Sequence, residues 1–152
     1  MINLHYRRAE KSDAKLLVDI YNSAFYDDYV RYGECPAYGR TVENMEISIE
    51  KTPKEIVIYD NTPVGVISVE EKGEGIYYIG CLCVVPEYQG KGIGTQAFKH
   101  ILSVYPEYKK FTLITPADKA ENIRFYTQKC GFRIEKTLMD GNVKVVKFVK
   151  ER

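Results

Sequence analysis

The chain has 152 residues, enough for one domain with a core of its own. Its apolar and charged fractions, 45% and 28%, exclude an intrinsically disordered chain. A formal net charge of +1 gives no reason to expect nucleic acid or an anionic membrane as the main partner.

No apolar run approaches the roughly 20 residues of a membrane-crossing helix, and the opening MINLHYRRAEKSDAK lacks the apolar core of a secretory signal. Cys35, Cys81, Cys83 and Cys130 include no CxxC pair, and His5 and His100 lie far from them. The expectation is therefore a cytoplasmic protein with reduced thiols and no metal site. Cys81 and Cys83, two residues apart, read as core thiols on one face of a strand.

HYRR is a short strand, and Ser12 or Asp13 is placed to cap the helix that follows. Leu16, Leu17, Ile20, Ala24 and Phe25 share one helical face, and the helix ends before Gly33. TVENMEISIEK predicts a second helix capped by Thr41, with Met45, Ile47 and Ile49 as its apolar contacts. EIVIYD and VGVISVEE are strands joined by a hairpin turn at Asn61-Thr62-Pro63. EKGEG is another turn. IYYIGCLCVV, apolar almost throughout, fits a central strand covered on both faces. Ile93, Ala97, Phe98, Ile101 and Leu102 mark a helix stopping near Tyr105-Pro106. FTLIT is a strand, AENIRFYTQKC a helix closed by Gly131, and RIEKTL and VKVVKFVK a hairpin around Asp140-Gly141-Asn142. The pattern is one α+β domain over residues 1–152, with a mixed, mostly antiparallel sheet and one late β-α-β crossing.

Between the central strand and its helix lies QGKGIG, residues 89–94. Helix N-termini carry unpaired N–H groups and partial positive charge, and glycines let an anion approach the backbone. The turn is thus either a cradle for phosphate, with Lys91 as a mobile cation, or a tight turn with packing glycines. A P-loop is excluded because Lys91 precedes the later glycines. A dinucleotide fingerprint is excluded because Pro86-Glu87-Tyr88-Gln89 separates the glycines from the strand and the expected downstream acid is absent.

VVPEYQGKGIGTQAF resembles the acetyl-coenzyme A motif of the GNAT-superfamily N-acetyltransferases, read here as Gln89-Gly90-Lys91-Gly92-Ile93-Gly94. NIRFYTQKCGF resembles the family's second cofactor motif, a helix with a tyrosine that ends in Gly-Phe. The spacing of the motifs and the order of elements also match, except before Lys54. The resemblance implies the GNAT fold and acetyl-CoA as co-substrate. It implies that the amides of Gly90, Lys91, Gly92, Ile93, Gly94 and Thr95 hold the pyrophosphate, and that the main chain of Leu82, Cys83 and Val84 contacts the pantetheine arm. A bulged central strand that splays from FTLIT is implied as well.

The activity implied is direct acetyl transfer to a primary amine of a small molecule or peptide in a ternary complex. Tyr126 resembles the family's general acid, with a packing role on the Ile123-Tyr126-Cys130 stripe as the alternative. Asn122, one turn earlier, could bond the pantetheine or the sheet; relatives carry their asparagine about two turns before the tyrosine, where this chain has Lys119. The central strand has no glutamate to act as base, which leaves Glu70 or Glu71, and an acetylated Cys81 or Cys83 has no neighbour in sequence to activate it. Tyr26 and Tyr29, in the acid- and tyrosine-rich AFYDDYVRYGECPAY, could receive a cationic amine or form a homodimer contact. The alternatives to an N-acetyltransferase are a non-catalytic coenzyme A-binding or sensor module and a transferase for a longer acyl group.

Overall fold

The structure, a computed structural model, describes residues 3–152. Seven strands form one mixed sheet in the order β1-β2-β3-β4-β5-β7-β6. The chain divides into two compact units. One takes in the described residues up to Val69 together with Cys81–Ala97, and the other Glu70–Gly80 and Phe98–Arg152.

In the first unit, β1 (Leu4–Arg8) pairs antiparallel with β2 (Lys54–Tyr59), which pairs antiparallel with β3 (Thr62–Gly73). The turn between β2 and β3 is tighter than the sequence suggests. Asp60 and Asn61 both take left-handed φ, 49° and 63°, as a two-residue hairpin loop requires. Thr62 and Pro63 therefore belong to β3, opposite Tyr59 and Ile58. Pro63 is tolerated because the register is already irregular at Val57/Ile58.

Helix α1 (Ala14–Tyr32) buries Ala14, Leu17, Val18, Ile20 and Tyr21 and closes at Gly33 in the left-handed conformation. Asp13 occupies its N-cap, but the carboxylate accepts from Arg7 at 2.9 and 3.0 Å and from the Glu10 amide at 2.8 Å instead of capping the helix. The hydrogen bond from Arg7 holds this carboxyl below its ordinary range. Helix α2 (Val42–Lys51) is capped by Thr41, whose hydroxyl accepts from the Asn44 amide at 3.0 Å. Met45 and Ile49, one turn apart, are its buried residues; Ile47 lies on the opposite side and is 54% exposed.

Strand β4 (Ile76–Val84) crosses from one unit to the other, and α3 (Ile93–Val104) follows the glycine turn. Gly65 of β3 comes so close to β4 that a Cβ there would stand 2.2 Å from the Cys83 carbonyl oxygen. No side chain fits.

In the second unit, β4 and β5 (Lys110–Pro116) pair in parallel over Ile76↔Lys110, Tyr77↔Phe111 and Tyr78↔Thr112. β5 pairs antiparallel with β7 (Val143–Glu151), and β7 with β6 (Arg133–Asp140). Phe98, Phe111, Phe132 and Phe148 are buried here, with Tyr126 among them. Its ring centroid lies 5.7 Å from that of Phe132 and 5.6 Å from that of Phe148. The expected last helix is in two parts: α4 (Ala120–Arg124), then a wide π turn over Phe125–Lys129 in which the Cys130 amide bonds to the Phe125 carbonyl at 3.2 Å. Gly131 closes it at φ 78°.

Gly65→Ala is expected to lower the stability of the protein by about 1–3 kcal/mol, because a methyl group there forces β3 and β4 apart. Urea unfolding of the variant measures this, and an unchanged midpoint would show that the two strands can yield.

Candidate functional site

The glycine turn lies wholly in the first unit. After Val85 the chain makes a single 3-10 turn, Pro86–Tyr88, and the Gln89 side-chain amide donates to the Val84 carbonyl at 2.9 Å. That bond ties the turn back to the end of β4. Gly90 and Gly92 follow at φ 79° and 80°, conformations that side chains rarely adopt. A Cβ at either would meet nothing within 4 Å, so glycine is demanded by the backbone and not by crowding. The space beside the turn is open.

The first backbone bond of α3 runs from the Gln96 amide to the Gly92 carbonyl at 3.1 Å. Among the described residues, no acceptor takes the N–H of any residue from Gly90 through Thr95. This cluster stands where the helix macrodipole is positive, with Lys91 exposed next to it. Ile93 and Ala97 are buried and anchor the first turn of the helix. The arrangement suits an anion with several oxygens.

The end of β4 presents an edge to the same unit. The Val85 amide donates to the Val64 carbonyl on β3 at 2.8 Å, and successive N–H groups of an extended chain alternate, so the Val84 N–H points away from β3. The Val84 carbonyl is already taken by Gln89. Val84 thus has its N–H to offer a ligand, and Leu82 beside it is half-buried. Cys81 and Cys83 are buried, as expected of core thiols. Cys81 donates to the Val66 carbonyl at 3.8 Å. The hydrogen bond between the two thiols, with burial, pushes the Cys83 thiol well up. The same bond, with one from Tyr21, holds the Cys81 thiol below its ordinary range, although it is buried.

Tyr126 and Asn122 belong to the second unit. Tyr126 is buried within the π turn, and its carbonyl accepts from the Phe132 amide at 2.9 Å. Such turns are frequent at functional positions in helices. Asn122 donates from Nδ2 to the Thr115 hydroxyl on β5 at 2.9 Å. The bond to the sheet is thus present. The π turn and Thr115 escape a sequence reading; the buried Thr inside FTLIT, seven residues before Asn122, is the only hint.

The remaining candidates are dispersed. Glu70 is exposed and ion-paired with Lys72 at 2.9 Å. Glu71 is exposed too. Tyr26 and Tyr29, 53% and 43% exposed, gather around Tyr38, with Tyr29 and Tyr38 stacked at 4.5 Å. The loop carrying Tyr38 is fastened to α1 by the Gly39 amide, which donates to Asn22 Oδ1 at 2.8 Å.

Known proteins bear on this arrangement in two ways. In fold, the chain is similar to a solved acetyltransferase from Thermus thermophilus, with a TM-score of 0.79, 17% identity and full coverage of both chains. It is also similar to the solved PaiA N-acetyltransferase of Thermoplasma acidophilum in complex with coenzyme A, with a TM-score of 0.81, 17% identity and coverage of 99% of this chain and 100% of that one. In sequence, it is 45% identical over 51 residues to the Bacillus subtilis (strain 168) protein YrkN, a match that spans 34% of this chain and only 28% of that protein. Residues 16–132 match the family model described as acetyltransferase (GNAT) family, most of the chain and both glycine-bearing motifs included. The protein belongs to the GNAT acetyltransferase family.

Proposed function

We propose that the protein transfers an acetyl group from acetyl-CoA to a primary amine of a small molecule or peptide, directly and in a ternary complex. The observation that carries this reading is the run of N–H groups from Gly90 through Thr95 that find no acceptor among the described residues. With Lys91 they make a seat for a pyrophosphate. The main chain of Leu82, Cys83 and Val84 takes the pantetheine arm. Asn122, fixed by Thr115 through its Nδ2, has Oδ1 left to accept from an amide of that arm.

Acetyl-CoA supplies a reactive acyl carbon with a thiolate as leaving group. The Val84 N–H is the donor for negative charge on the acyl oxygen, a role in which one well-placed donor is worth about 3–4 kcal/mol. Tyr126 gives its phenolic proton to the departing sulfur. The packing of Phe132 and Phe148 on its ring, which limits how that ring can turn, supports this reading. Glu70 is held by Lys72, which weakens its claim as the base. The acceptor then enters as the free amine, at a cost of about 4–5 kcal/mol for a lysine-like amine at pH 7. Tyr26 and Tyr29 are the acceptor-side residues of this reading. The free thiols of Cys35, Cys81, Cys83 and Cys130 suit a reducing cytoplasm.

Tyr126→Phe is expected to lower kcat about 100-fold or more while the affinity for acetyl-CoA stays within about threefold. Steady-state kinetics with calorimetry separates the two, and an unchanged kcat removes Tyr126 from the chemistry. Gly92→Val, forced into a left-handed φ, is expected to weaken acetyl-CoA binding at least about tenfold with the fold retained, as judged by circular dichroism. The kcat/KM is expected to rise about tenfold per pH unit below the acceptor's pKa, since only the free amine reacts. A panel of amines that releases no thiol from acetyl-CoA, despite tight cofactor binding, points to a coenzyme A sensor instead. Faster release from longer acyl thioesters points to a transferase of those.

A further inference from the structure

The second unit contains a cavity of about 470 Å³, the size of a small-molecule site, on the sheet face opposite α4. Strand alternation builds it. Phe111, Leu113 and Thr115 of β5 are buried, with Thr115 bonded to Asn122 of α4, while Lys110, Thr112 and Ile114 point the other way. The parallel register sets Ile76 beside Lys110 and Tyr78 beside Thr112, and the antiparallel register sets Lys147 opposite Ile114.

Its walls combine unused donors with apolar surface. Among the described residues, the Lys110 ammonium and the Thr112 and Tyr78 hydroxyls have no hydrogen-bond partner and no ion pair. Burial, with the charges of Asp140 and Glu70, pushes the Tyr78 phenol up, so it stays protonated and able to donate. Ile76 and Ile114 supply the apolar part, and the Lys72 ammonium stands 5.7 Å from the centre of the Tyr78 ring.

The charges decide what kind of ligand fits. Lys72 is paired with Glu70 at 2.9 Å, and Lys147 with Glu135 at 3.2 Å. Lys110 and Lys136 both act on Glu135, and Asp140 acts on Tyr78. Lys110 forms no ion pair, although its charge acts on Glu135 and Glu151 stands opposite it on β7, and its ammonium can meet the carboxylate of a ligand.

We propose that this cavity binds a small organic monocarboxylate with an apolar or aromatic body, its acid group held by Lys110, Thr112 and Tyr78.

The probe is 3-phenylpropanoate, which has the acid and the apolar body but no amine. Titrated into the ¹⁵N-labelled protein, it is expected to shift the amide signals of Tyr78, Lys110 and Thr112 saturably. The neutral 3-phenylpropanamide is expected to bind at least about tenfold more weakly, the worth of one charge-assisted hydrogen bond. Lys110→Met and the isosteric Thr112→Val should each weaken the acid about tenfold and leave the amide alone. Equal binding of acid and amide, shifts confined to other residues, or indifference to both substitutions overturns the proposal. Carboxylate binding without transfer to any amine overturns the transferase reading and leaves the anion site standing.

Discussion

A backbone N–H without an acceptor is tolerated only where water or a ligand can reach it. The stretch from Gly90 through Thr95 concentrates such groups, and much of the first unit is arranged to keep them in place. Gly90 and Gly92 turn the chain through left-handed conformations. Gln89 pins the turn to the end of β4, Val85 pins β4 to β3, and Ile93 with Ala97 seats the helix. None of these fastenings uses one of the open amides. The turn is therefore held rigid while the groups that a ligand needs stay available, which is what preorganised anion recognition requires.

The second unit works by packing. Tyr126 is enclosed by aromatic rings, and Asn122 is tied to β5 by a single side-chain bond. On the other face of the same strand, Lys110, the buried Thr112 and Ile114 line the cavity. One short strand thus serves a core on one side and a cavity on the other. The period of two in an extended chain makes that possible without any change in backbone.

Most of the architecture was legible because it is written locally. The 3.6 period of α1, the Thr41 cap, Gly33 and Gly131 as helix ends, and the long apolar β4 all appear in the structure. What was not legible depends on partners distant in sequence. Pro63 reads as a turn residue until the irregular register of β2 and β3 makes room for it. Ile47 looks like a core residue until the helix period places it on the far side from Met45. The glycine motif could be found by spacing, but the use of Gln89 on Val84 depends on three-dimensional folding of the turn. Lys72, Lys110 and Lys147 lie on three strands, and no window of sequence shows them together.

The π turn at Phe125–Lys129 also bears on how the segment could change length. Such a turn holds one residue more than the regular spiral needs. Deleting one residue there would restore ordinary helical bonding and leave the chain beyond it close to its present heading. What would change is the direction of the side chains inside the turn, Tyr126 among them. The tract can therefore lose one residue without disturbing the start of β6, but not without moving Tyr126.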